Sequence, residues 1–308
     1  PNKKSRDYQW VSCVGENVGR GGLHCTRVQS NCSAMKTQWE HLRALGADMC
    51  AISEPRLTCA GQREYDLKLA EPEEPEDNTY YAIWGGPCKR KGFGGRVLPG
   101  GVALVVRDHI QAKMIQPKTE TRRSFFEAGR LLHAVVWLGG KAIHIFVVYG
   151  YTNAATDAEQ RSKNELLLKE VFEWASEIGN APVLVCGDLN TKVQASSAQV
   201  QCVKDGAGEP QATCFQKGTS AGTRIDFMIA NSIAVTTVTG FQQLNDTGIP
   251  THRPLWCDLE ASSCVQQGHR FRQPDELPLN WRDADPEQES VKATSAVEPI
   301  LEQSRLIW

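Results

Sequence analysis

The chain has 308 residues, with 41% hydrophobic and 23% charged side chains, which is enough apolar material for a sizeable core. Its 34 basic and 36 acidic side chains give a net charge of −2. That balance excludes a globally basic polyanion binder and leaves such contacts to local patches.

The opening, Pro1-Asn2-Lys3-Lys4-Ser5-Arg6, has neither an apolar secretion segment nor a Met, so the chain reads as a piece of a longer frame. Residues 8–14 are expected to form a first strand, ending in Gly15-Glu16-Asn17. A helix follows over 35–45, with Asn31 or Ser33 as cap, Trp39, Leu42 and Leu45 on one face and Gly46 as its stop. Residues 47–53 form a short apolar strand from which Glu54 emerges, and Pro55 blocks its continuation. The stretch 56–78 is polar and reads as a loop with an acidic run at 71–77. Strands are expected at 79–84 and 101–107, around a Gly-rich basic segment, Lys89-Arg90-Lys91-Gly92-Phe93-Gly94-Gly95-Arg96.

Residues 131–138 and 142–149 read as a hairpin joined by Gly139-Gly140-Lys141. The segment 157–178 is helical, with Leu166, Leu167, Val171, Phe172 and Trp174 on its apolar face and Gly179-Asn180 after it. A buried-type strand covers 182–186, and 191–220 is loop-rich. The last strands are expected at 224–230, 233–241 and 255–259. Strands outnumber helices, and the helices fall between strand groups. That pattern suits an α/β fold, a sandwich of two stacked mixed sheets flanked by helices. The domain is expected to span 1–263, with 264–308 a polar linker, carrying a short helix at 297–308, toward a missing domain. No apolar run approaches the roughly 18–20 residues of a membrane-crossing helix, so no membrane partner is expected.

Eleven cysteines are scattered without a Cys-x-x-Cys pair. Cys13, Cys50, Cys186 and Cys257 sit in apolar runs, where a thiol packs as a small hydrophobe, so a reduced, intracellular protein is expected. His24, Cys25, Cys32 and His41 match no zinc-ligand spacing.

Four motifs carry chemistry. Val183-Leu184-Val185-Cys186-Gly187-Asp188-Leu189-Asn190 is an apolar strand that delivers an Asp and an Asn to its carboxyl end. Gly187 permits close backbone approach, and residues two apart project to the same side of extended chain. Asp188 suits orienting or deprotonating a water, and Asn190 suits donating an amide hydrogen bond to a phosphate or to Asp188. Asp226, in an apolar strand, needs a partner, and His252 is the natural one. The carboxylate would fix the imidazole tautomer and favour the imidazolium, which then meets a phosphate. Glu54 offers the oxygen donor that a hard divalent cation wants. Asn17 and Tyr149 complete the set, with Tyr151 and Asn153 as weaker candidates. Lys89, Arg90, Lys91, Arg96, Arg122 and Arg123 are candidates for substrate phosphate contacts.

This ordered set, Asn17, Glu54, Tyr149, Asp188 with Asn190, Asp226 and His252, resembles the endonuclease/exonuclease/phosphatase superfamily over roughly residues 8–262. The resemblance implies a four-layer α/β sandwich with the site at one edge of the stacked sheets. It implies a Mg²⁺ cofactor, or Mn²⁺, held by Glu54 with Asn17, water activation by Asp188, a phosphate contact by Asn190, and Asp226 orienting His252. One departure stands out: the family usually has Ser-Asp-His where this chain has Pro250-Thr251-His252. Gly100-Gly101-Val102-Ala103-Leu104 and Arg224-Ile225-Asp226-Phe227 are most similar to the endonuclease domain of non-LTR retrotransposons. That likeness implies DNA nicking for retrotransposition, fusion to a reverse transcriptase and a nuclear location. The alternatives are a phosphatase or phosphodiesterase acting on RNA or small phosphoesters, and an inactive nucleic-acid-binding remnant.

Overall fold

A computed structural model describes residues 10–11, 25–30, 35–72, 79–89, 97, 99–138, 140–191, 211–215, 222–245, 247, 249 and 251–260. Asn17, Arg90, Lys91, Arg96, Cys13 and the expected linker at 264–308 lie outside the described residues.

Two six-stranded sheets form the frame. One runs in the order β1 (Trp10–Val11), β12 (Asp226–Asn231), β9 (Val183–Asp188), β8 (Lys141–Tyr149), β7 (Leu131–Leu138) and β6 (Gln111–Met114). The other runs β13 (Val238–Gln243), β14 (Leu255–Glu260), β2 (Cys25–Ser30), β3 (Met49–Ser53), β5 (Val102–Arg107) and β4 (Tyr80–Trp84). Both are mixed: β8 is parallel to β9, β2 is parallel to β3, and the other neighbours are antiparallel. A small hairpin pairs β10 (Cys214–Phe215) with β11 (Gly222–Thr223).

Side-chain alternation along the strands builds three apolar layers. Leu132, Ala134 and Val136 of β7, Ile143, Ile145 and Val147 of β8, and Leu184 and Cys186 of β9 meet Met49, Ala51, Val102, Leu104, Leu255 and Cys257 between the sheets. The opposite face of the first sheet, with Leu131, Phe146, Val148 and Val185, is covered by α4 (Ala158–Glu177) through Leu167, Leu168, Val171 and Trp174. The opposite face of the second, with Cys50, Ile52, Ala103 and Val105, receives Trp39 and Leu42 of α1 (Met35–Ala44) and Tyr65 and Leu69 of α2 (Cys59–Ala70). The result is helix, sheet, sheet, helix, the expected four-layer sandwich. Cys50, Cys186 and Cys257 are buried within it.

Several elements differ from the sequence reading. Residues 59–70, read as loop, form α2, which Thr58 caps by accepting the Gly61 N–H. Its buried face is Gly61, Gln62, Tyr65 and Leu69, while Leu67 is exposed, so apolar periodicity is faint. β2 and β6 also had no apolar signature. Residues 233–235 lie in a helical turn, α5 (Ser232–Val235), because the Asn231 side chain accepts the Ala234 N–H and caps it.

Arg122 is a further correction. It lies in α3 (Glu120–Glu127), is 5% exposed, and its guanidinium bonds Glu170 at 3.1 Å and both Glu177 oxygens at 2.8 and 2.7 Å. It also stacks on Trp174 at 5.3 Å. Its donors tie α3 to α4, so it is not open to a phosphate. Arg123 beside it is exposed. Replacing Arg122 with Ala is expected to lower stability by about 2–3 kcal/mol, since two glutamates lose their partner, and Arg123→Ala by less than about 0.5 kcal/mol. Urea unfolding of the two variants measures the contrast.

His133 of β7 is buried under α4, stacked on Phe146 at 4.2 Å and edge-on to Trp174 at 4.7 Å. Its Nε2 is 3.0 Å from His144 Nδ1, and its Nδ1 has no hydrogen-bond partner among the described residues. Burial, and then His144, lower its pKa to about 3. The unfolded chain therefore takes up a proton below about pH 6.5 that the folded chain refuses, and stability falls as pH drops from 6.5 toward 3. His133→Phe is expected to remove about 2 kcal/mol of the stability lost between pH 6.5 and 5, at roughly 1.4 kcal/mol per unit. Denaturation of both proteins at the two pH values measures it.

Candidate active site

The inter-sheet face changes character where the strands of the first sheet end. Tyr149, Asp188 and Asp226 continue the inward-facing rows of β8, β9 and β12. They are direct neighbours in register, with Tyr149 opposite Asp188 and Asp188 opposite Asp226. Apolar residues hold the strands together further in, and the last inward position of each strand is polar. Asp226 is fully buried and Asp188 5% exposed.

From the other sheet, β3 ends at Ser53 and Glu54. The Ser53 hydroxyl donates to the Val148 carbonyl at 3.0 Å and accepts the Asp188 N–H at 3.2 Å. This residue, which the sequence reading passed over, fastens the two sheets at the site. A side chain on Gly187 would collide there: its Cβ would lie 1.9 Å from the Val148 carbonyl oxygen, and its φ is +143°. Glu54 and Arg56 both have positive φ, and their backbone N–H groups donate to the Gly101 and Gly100 carbonyls. That pairing turns the Glu54 carboxylate toward the strand ends, where it accepts from Arg56 at 2.7 and 3.0 Å. The Tyr149 hydroxyl bonds Glu54 as well, and burial, then Glu54, push its pKa up.

Asp188 Oδ1 accepts the Asn190 N–H at 2.9 Å, an Asx turn that holds Asn190 at φ +49°. The Asn190 side-chain amide donates to the Gly150 carbonyl at 3.2 Å. Asn164 of α4, buried, fixes the same loops by accepting the Tyr151 N–H and donating to the Leu189 carbonyl. Arg130, also unforeseen, lies 4.5 Å from the ring centres of both Tyr149 and Tyr151. It brings a half-exposed cation beside the acids. Lys89 is exposed.

His252 precedes β14, and its Nδ1 is 3.0 Å from Asp226 Oδ2 and 3.3 Å from Oδ1. Its Nε2 is 3.7 Å from the Cys214 sulfur. Burial alone would lower its pKa, but the bond to Asp226, the Cys214 contact and the nearby Asp188 charge together raise it to about 11. The imidazole is therefore a cation at neutral pH. Asp188 moves upward from the usual carboxylate range because it is buried and because Asp226 is close, with Glu54 adding to the effect.

Ligand atoms of Asp188, Asp226 and His252 all lie within 4.8 Å of one another. An imidazolium bonded through Nδ1 cannot also be a metal ligand. In this group the carboxylates suit a hard cation, and Glu54 lies close enough to Asp188 to act on its charge. Burial first, and then the neighbouring Asp226 charge, raise Asp188, and a bound cation would oppose both effects.

Solved structures share this architecture. A 3′-5′ exonuclease from Neisseria meningitidis superposes with a TM-score of 0.54 at 13% identity, over 76% of this chain and 99% of that one. A 3′ phosphatase from Neisseria bound to a product DNA hairpin gives 0.52 at 13% identity, over 76% and 99%. An AP endonuclease from Leishmania major gives 0.53 at 15% identity, over 77% and 88%. By sequence alone, no curated protein matches the chain significantly. The family pattern, however, matches residues 27–246, and the chain belongs to the Endonuclease/Exonuclease/phosphatase family, whose members are metal-dependent phosphoester hydrolases.

Proposed function

We propose that this protein is a Mg²⁺-dependent DNA endonuclease that nicks one strand to leave a 3′ hydroxyl and a 5′ phosphate. The observation that carries the reading is the row Tyr149, Asp188 and Asp226 at three adjacent strand ends, with a histidine bonded to the last of these acids. A bound divalent cation would supply Lewis-acid polarisation of the scissile phosphate and charge neutralisation. The protein's own groups do the rest. Glu54 would hold the cation, together with Asn17, which lies outside the described residues. The Asp188 carboxylate, oriented by the Asn190 N–H, accepts a proton from the attacking water. Protonated His252, oriented by Asp226, donates hydrogen-bond density to the phosphate oxygens as charge builds there.

DNA as substrate is supported by the Neisseria neighbour with its bound DNA hairpin. The non-LTR likeness of the Gly100–Leu104 and Arg224–Phe227 phrases supports a role in target-site cleavage for retrotransposition. It also supports fusion to a reverse transcriptase through the polar segment 264–308, and work in the nucleus. The same Neisseria neighbour is a 3′ phosphatase, which favours phosphomonoesters at DNA 3′ ends as the second reading. Parallel assays on supercoiled plasmid and on a 3′-phosphorylated oligonucleotide separate the two. Release of phosphate without nicking would replace the first reading with the second.

Asp188→Asn is expected to reduce plasmid nicking by a factor of about 10²–10⁴, the usual worth of a general base, with DNA binding retained in a gel-shift assay. Unchanged nicking would overturn the proposal. Glu54→Gln is expected to raise the Mg²⁺ concentration for half-maximal rate on the order of tenfold, while chelation with EDTA stops the wild-type reaction. A Mg²⁺ titration that superposes on the wild type would remove Glu54 from the cation's ligands.

A further inference from the structure

One thiol touches the cationic histidine. Cys214 opens β10 and lies directly across an isolated antiparallel bridge from His252. Residues opposed in this way project to one face, and the sulfur reaches to 3.7 Å from Nε2. The pairing is fixed on both sides. The Phe215 N–H donates to the Thr251 carbonyl and the Arg253 N–H to the Thr213 carbonyl, each at 2.7 Å. The Thr213 hydroxyl accepts the Ile225 and Asp226 N–H groups at 3.2 and 3.1 Å. Sulfur, imidazole and carboxylate thus stand in line as Cys214, His252 and Asp226. Three other thiols, Cys50, Cys186 and Cys257, are sealed in the core, whereas Cys214 is only half-buried.

We propose that Cys214 is a reversible thiol-modification site that blocks the active centre, accepting small disulfides of the glutathione class. The inference rests on the reading of His252 as the group that meets the phosphate. The Cys214 sulfur attacks one sulfur of the disulfide, a new S–S bond forms as the old one breaks, and the thiol proton leaves with the departing thiol. Cys214 is oxidised, one reagent sulfur is reduced, and no further oxidant enters. The first atom of the adduct is bonded about 2 Å from Sγ, and Sγ stands 3.7 Å from Nε2. An adduct on this sulfur crowds the imidazole that the proposed reaction needs, and a glutathione adduct also brings negative charge. A reducing thiol reverses the step.

The test treats the full chain and its Cys214→Ser variant with methyl methanethiosulfonate. Adducts are mapped by peptide mass, the His252 imidazole is followed by NMR, and DNA hydrolysis is compared with each protein's own untreated rate. Exposed Cys59 serves as the internal control for the reagent. The expected result is labelling of both Cys59 and Cys214, displaced His252 resonances, and a rate loss on the order of tenfold or more that dithiothreitol restores. The Cys214→Ser rate should not change on treatment. The proposal is overturned if Cys214 stays unlabelled while Cys59 reacts, if the His252 signal does not move, if labelled protein hydrolyses at full rate, or if the variant loses as much. A protein with no turnover before treatment counts against the nuclease reading, while labelling and NMR still decide the fate of the thiol site.

Discussion

Carboxylates placed on a dry face govern this structure. Stacking the two sheets excludes water from their facing surfaces, which is where Tyr149, Asp188 and Asp226 end their strands. A buried carboxylate is unfavourable unless it is bonded or paired. Each acid is met accordingly: Asp226 by His252, Asp188 by the Asn190 N–H, and Glu54 by Arg56. The pairing is still incomplete, because Asp188 is met by a neutral N–H. A divalent cation would balance that remainder. The burial that makes the acids unfavourable for the fold is the same property that makes them useful to a hydrolase.

Backbone geometry at this edge follows from the demand. Five non-glycine residues among those described have positive φ: Glu54, Arg56, Asn153, Asn190 and Thr251. Glu54 and Asn190 are site residues, Thr251 adjoins His252, and Arg56 bonds the Glu54 carboxylate. Such conformations are retained where the surroundings over-determine them. The surroundings here are specific: Gly100 and Gly101 carbonyls for the Glu54 turn, the Asp188 carboxylate for Asn190, and the Phe215 N–H for Thr251. The rigid layers behind them, with α4 sealing one sheet and α1 and α2 the other, keep those constraints in place.

How much of this could be read from the sequence depended on contrast. Asp188 and Asp226 are legible because each adjoins a run of apolar residues; β5, β7, β8 and β9 are legible from mostly apolar runs, and helix α4 from apolar residues at helical spacing. β2 was not, since Cys25–Ser30 has a single aliphatic residue, Val28. α2 was not, since glycine and glutamine occupy half of its buried face. Arg122 shows a different limit. Its neighbour Arg123 has the same charge, and only the distant Glu170 and Glu177, brought close by folding, separate a structural arginine from a solvated one. Ser53 and Cys214 were invisible for a related reason, because what each does is defined by a partner far away in the chain.

Residue 251 draws these threads together. The family resemblance leads one to expect an acid there, and this chain has Thr251. At φ +70° a β-branched residue is strained, a conformation that costs roughly 1–2 kcal/mol. Its carbonyl accepts the Phe215 N–H, which ties the residue to β10 and so sets the height of Cys214 against His252. The position therefore acts here through its backbone: it holds the hairpin that carries the thiol. The threonine before the histidine and the sulfur at its Nε2 belong to one local arrangement. The strain at Thr251 is opposed by the bridge from Cys214 to His252 and by the flanking bonds of Thr213 and Arg253, which hold the same stretch of chain that keeps the imidazole on Asp226.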